Sequence, residues 1–179
     1  MTDYCVKPEL VTYDPSIRRS WKNGGEWPNA DLYYFHEAVV ASHFVLRGYH
    51  VLRDYLATRA KGRRSLTTHY SRIFHEVVGP QASAFFMEEL DKIAPGSIGQ
   101  PDLFVFREKN TNDPRVHYGD PRLWFFVEVK GPGDRVGKNQ RVFWREVAMR
   151  EDIGLGPQRV RLFRTAPHGS VINLEPVRY

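Results

Sequence analysis

Thirteen consecutive residues, Leu123-Trp124-Phe125-Phe126-Val127-Glu128-Val129-Lys130-Gly131-Pro132-Gly133-Asp134-Arg135, constrain this chain more than any other stretch. Side chains of an extended strand alternate between its faces. Leu123, Phe125, Val127 and Val129 therefore share one face, and Trp124, Phe126, Glu128 and Lys130 share the other. Both faces begin apolar, which predicts a central strand covered on both sides. The last two positions of the second face are charged, and Gly131-Pro132-Gly133 then stops the strand. A carboxylate and an ammonium at the end of a buried strand call for a chemical reason.

Around that strand the pattern predicts helices and strands in the order α-β-α-α-β-β-α-β. Residues 31–47 carry apolar residues at helical spacing, with Asp31 as N-cap and Gly48 as the stop. Tyr49 to Leu56 alternates as a strand, and helices are expected from about Thr67 to Val78 and from Pro80 to about Pro95. Leu103–Phe106 is a short apolar strand, Lys138–Arg150 a helix, and Arg159–Arg164 a late strand with an arginine-bearing exposed face. The polar segment from Arg107 to Arg122 reads as a long hairpin connection. Residues 1–30 read as an N-terminal arm packing through Trp21 and Trp27. Residues 31–179 form the domain, with a helical insertion at about 58–97. The order implies an α/β architecture, helices on a mixed sheet.

If Leu103–Phe106 and the Leu123 strand pair as a hairpin, the start of one lies beside the end of the other. Asp102 then meets Glu128 and Lys130, and Glu37, at the margin of a buried helix face, is available as a third acid. Carboxylates without thiols suit Mg²⁺ or Mn²⁺ better than Zn²⁺. Such an ion polarises a phosphodiester and lowers the pKa of a bound water, with Lys130 free to orient that water or stabilise developing charge. Taken alone, Glu128-x-Lys130 is an ordinary solvated pair. The joint pattern with Pro101-Asp102 is not.

Those residues carry a resemblance. Pro101-Asp102 followed by Glu128-Val129-Lys130 resembles the PD-(D/E)xK nuclease signature. Gly99-Gln100-Pro101-Asp102-Leu103, then Val127 through Arg135, then Gln140, is similar to its VRR-NUC branch, found in stand-alone phage and bacterial proteins and in the Fanconi-associated nuclease. The resemblance implies a restriction-endonuclease-like core and a Mg²⁺- or Mn²⁺-dependent DNA endonuclease acting on branched or flapped DNA in replication, recombination or repair. It implies Asp102, Glu128 and the Val129 carbonyl as metal ligands, and Lys130 as the catalytic lysine. Gln140 is then either a contact to the attacking water or scissile phosphate, or an exposed helix amide. Glu37 is chosen as the helical acid over Glu76 and Glu88, because the run from Glu37 to Gly48 and Tyr49 resembles the family's acid-bearing helix. A symmetric homodimer is expected on the same ground. A sequence-specific restriction endonuclease and a non-catalytic nucleic-acid-binding module are the alternatives on this fold. Against the family pattern, the 58–97 insertion and the 107–122 connection are long.

Charge and composition agree. The chain of 179 residues has a net charge of +5 and a pI near 9.4, favouring an anionic partner such as DNA. Arg63 and Arg64 in a basic loop, and Arg135, Lys138 and Arg141 behind the catalytic strand, are the expected phosphate contacts. A single cysteine, Cys5, excludes a disulfide framework. No apolar run is long enough to span a membrane, and no organic cofactor is expected. The setting is cytoplasmic, nucleoid-associated or, for a phage protein, the host cytoplasm. His36, His43 and His50 recur every seven residues but straddle Gly48, so they are read as packing or surface residues.

Overall fold

The aromatic density of the central strand sets the architecture. The computed structural model describes residues 4–22, 34–53, 55, 57, 69–93, 99–107 and 123–179. Its core is a five-stranded mixed sheet, order β2-β6-β5-β4-β3, of Glu9–Tyr13 (β2), His50–Leu52 (β3), Leu103–Phe106 (β4), Trp124–Lys130 (β5) and Val160–Pro167 (β6). β5 lies in the middle, antiparallel to β4 and parallel to β6. β3 continues the antiparallel side, and β2 runs parallel to β6 at the opposite edge. A two-residue strand β1 (Cys5–Val6) pairs with β7 (Val177–Arg178) in a separate small ladder.

Each face of β5 feeds its own core, as its alternation requires. Trp124 and Phe126 join Phe74 and Val78 of α3 (His69–Val78), Phe85, Phe86 and Leu90 of the following helical run, and Phe143, Trp144 and Val147 of α6 (Lys138–Ala148). Phe125, Val127 and Val129 join Val40 and Phe44 of α2 (Phe35–Val45), with Val11 of β2. Leu123 departs from the expected alternation and packs with the first core, because it precedes the strand in a turn. Between α4 (Pro80–Ala84) and α5 (Leu90–Ile93) the helix passes through a π turn, Phe85–Glu89. The widened turn accompanies burial of both consecutive rings, Phe85 and Phe86.

The result is an α/β fold with a five-stranded mixed central sheet flanked by helices, consistent with a restriction-endonuclease-like core. α2 ends before Gly48, whose φ of 76° continues the turn left-handedly. Asp31 lies outside the described residues, as do Trp27, the basic loop from Thr58 to Ser65 and most of the 107–122 connection. β3 is shorter than the strand expected from Tyr49 to Leu56. The N-terminal stretch supplies more than turns. β2 enters the main sheet, and Asp14 opens α1 (Pro15–Lys22) by accepting the Ser16 N–H at 2.8 Å, with Pro15 in the first turn. The exposed arginine face expected near β6 needs correction. Arg159 ends a 3-10 turn before the strand and is fully buried, its guanidinium 3.7 Å over the Trp124 ring. Its Nη1 and Nε donate to the Trp124 and Gly154 carbonyls at 2.6 and 3.0 Å. Arg161 covers the Phe125 ring at 3.8 Å. Among the described residues no helix is long and apolar enough to cross a membrane.

Candidate active site

The register Leu103↔Val127 puts Asp102, the residue before β4, beside Glu128. Asp102 Oδ2 accepts the Val129 N–H at 2.8 Å, which fixes the carboxylate across the hairpin end. Glu128 has no exposed surface, although it is a carboxylate and the fifth residue of a strand whose first four are apolar. Its Oε1 lies 2.5 Å from Lys130 Nζ and also accepts from the Gln140 amide. Its Oε2 is buried with no hydrogen-bond partner among the described residues. Lys130 retains slight exposure.

Burial sets the electrostatics. It pushes the Glu128 carboxyl up to about 8, with the Asp102 charge adding and Lys130 opposing. Asp102 is raised by burial too, against the Val129 N–H and Lys130. Glu37 on α2 is raised by burial, against its own backbone hydrogen bond; the Asp102 charge adds to the rise, and Arg53 and Lys130 oppose it. The influence of Asp102 and Lys130 marks Glu37 as part of the same electrostatic site. Its Oε2, like that of Glu128, is buried without a hydrogen-bond partner among the described residues. Glu76 and Glu88 are exposed on other helices.

Gln140 is neither free nor fully exposed. It occupies the first turn of α6, where its Oε1 accepts the Gly137 N–H at 2.8 Å and its Nε2 turns to Glu128. Helix start and acid are thereby tied by one amide. The fit requires a glycine at 99, since a Cβ there would come 2.7 Å from the Gln140 backbone nitrogen. Arg135, Lys138 and Arg141 are exposed along the turn and the opening of α6. Arg63 and Arg64 lie outside the described residues.

Several supports escape the sequence reading. Gln100 receives the Ala57 N–H at 2.8 Å and donates to the Tyr55 carbonyl at 2.7 Å, and the Tyr55 hydroxyl donates to the Pro101 carbonyl at 2.9 Å. These bonds lock the backbone that presents Asp102. The signal available is Gln100 beside Pro101-Asp102, but its partners lie more than forty positions away. His36, expected as a packing or surface residue, touches the turn after Lys130.

The sequence profile of the VRR-NUC domain matches residues 35–156, well over half of the chain. The chain belongs to the VRR-NUC family. No curated protein and no solved structure matches it. The VRR-NUC match identifies a nuclease domain and contains Glu37, Asp102, Glu128, Lys130 and Gln140. It begins with α2 and stops before β6, so the strand that flanks β5 on its parallel side lies beyond the matched span.

Among the described residues no group of three or more His, Cys, Asp or Glu side chains is arranged to hold a metal ion. What the site offers is the Asp102–Glu128 pair with Glu37 in electrostatic range. The Glu128 and Glu37 oxygens that are buried without a hydrogen-bond partner among the described residues are hard donors of the kind that suits Mg²⁺ or Mn²⁺.

Proposed function

We propose that this VRR-NUC protein is a Mg²⁺- or Mn²⁺-dependent DNA endonuclease that cuts branched or flapped DNA. The observation that supports it most is Glu128, a fully buried carboxylate whose one oxygen meets Lys130 while the other has no hydrogen-bond partner among the described residues. Asp102, Glu128 and the Val129 carbonyl would hold the ion, with Glu37 as a further acid. When bound, it would polarise the phosphodiester and lower the pKa of a water. Lys130 Nζ, kept at the site by Glu128, orients the attacking water and offsets charge growing on the phosphorus-bound oxygens. Gln140, pinned at Gly137, holds its amide toward the same region. Arg135, Lys138 and Arg141 contact flanking phosphates, as do Arg63 and Arg64. In the cell the protein works as a homodimer.

Labelled four-way junction, flap, duplex and single strand, each incubated with Mg²⁺, Mn²⁺ or EDTA, test the reading. Junction or flap should be cut only with a divalent ion. Asp102→Asn and Glu128→Gln should abolish cutting, and Lys130→Ala should lower kcat by on the order of 10²- to 10⁴-fold. Failure to cut any substrate, with DNA binding indifferent to metal, would sink the proposal.

A further inference from the structure

His36 lies one residue before Glu37, yet it faces a different partner. Its Nδ1 is 2.6 Å from the hydroxyl of Thr165, a fully buried residue of β6. Its other edge lies against Gly131, the residue after Lys130. A Cβ on Gly131 would come 2.7 Å from His36 Nε2 and 2.9 Å from Cδ2. The imidazole thus occupies the volume that any side chain at 131 would need.

The turn it touches is closed by its own bonds. Gly131 N–H donates to Asp134 Oδ2 at 2.9 Å, the Gly131 carbonyl accepts the Asp134 N–H at 3.2 Å, and Arg164 Nη1 reaches the Asp134 carbonyl at 3.3 Å. Arg164 and Thr165 are neighbours in the second half of β6, and Arg164 is the register partner of Lys130. β6 therefore grips this turn twice, once directly through Arg164 and once through Thr165 and His36. The ring also joins three pieces of the site: α2 with Glu37, the end of β5 with Lys130, and β6. Simple packing is met equally well by an apolar side chain, without the cost of burying a polar ring.

We propose that His36 is a positioning residue, which uses the Thr165 hydroxyl as its anchor and the Gly131 backbone as its bearing surface to set the aim of Lys130. The inference rests on the nuclease reading above. Displacing a reacting group by an ångström costs up to about a hundredfold in rate, so removing the brace acts on kcat.

The test measures kcat and KM for the cleaved DNA, below the unfolding midpoint of each protein, in wild type, His36→Ala, Thr165→Val and Thr165→Ser. His36→Ala and Thr165→Val should lose kcat by roughly tenfold or more with KM unchanged. Thr165→Ser, which keeps the hydroxyl, should retain kcat. If His36→Ala does not fold, the Val and Ser variants decide. Wild-type kcat in His36→Ala, a loss confined to KM, or equal kcat in the Val and Ser variants overturns the brace while leaving the nuclease reading intact. A wild type that cuts nothing overturns both.

Discussion

Glu128 binds a proton more tightly folded than unfolded, because burial and the nearby Asp102 charge raise its carboxyl from an ordinary 4.5 to about 8. Its stabilising contribution is therefore complete below about 4.5 and is lost as pH climbs through about 8. Asp102 and Glu37 shift in the same direction and add to the same trend. In EDTA, the unfolding midpoint should fall between about pH 5 and about pH 8, more steeply in wild type than in Glu128→Gln. A divalent ion favours ionised carboxylates, so adding one should raise the midpoint more at the alkaline end. Identical pH slopes for wild type and Glu128→Gln would discard a proton-holding Glu128. The residues of this pair are legible in the sequence, since alternation along one strand and the start of a neighbouring one suffice to bring Asp102 to Glu128. His36 and Arg159 are not. Their meaning comes from Thr165 and Trp124, 129 and 35 positions away, and no local spacing announces either contact.

At the scale of elements, β5 is rigid because its side chains fill both cores. Phe126 alone meets the rings of Tyr55, Phe74, Phe86, Phe104, Trp124 and Phe143 at centroid distances between 5.2 and 6.3 Å. It stands two residues before Glu128 on the same face. Phe126→Ala should cost about 3–5 kcal/mol in urea-induced unfolding, from forfeited transfer energy and the cavity left behind. A loss below about 1 kcal/mol would mean that the aromatic cluster collapses into the gap. The hairpin of β4 and β5 is legible because both strands are continuous apolar runs close in sequence. β2 is not, because Glu9–Tyr13 is short and finds its partner β6 some 150 residues later. A parallel edge pairing of that kind leaves no turn signature.

For the whole molecule, a net charge of +5 and the exposed Arg135, Lys138 and Arg141 along the turn and the opening of α6 predict a salt-sensitive grip on DNA. Replacing those three by Ala should flatten the dependence of log affinity on log salt by about one unit for each phosphate left unneutralised, uniformly across DNA sequences. An unchanged slope would remove them from the binding surface. The sheet also sets how far apart in the chain its pairings are. Asp102 and Glu128 belong to a hairpin whose closure is comparatively local, whereas Thr165 must wait for β6 to dock beside β5 and β2. Pairings of such separation close late in folding. Loop-closure entropy thus predicts that the hairpin joining Asp102 to Glu128 closes before β6 brings Thr165 to His36.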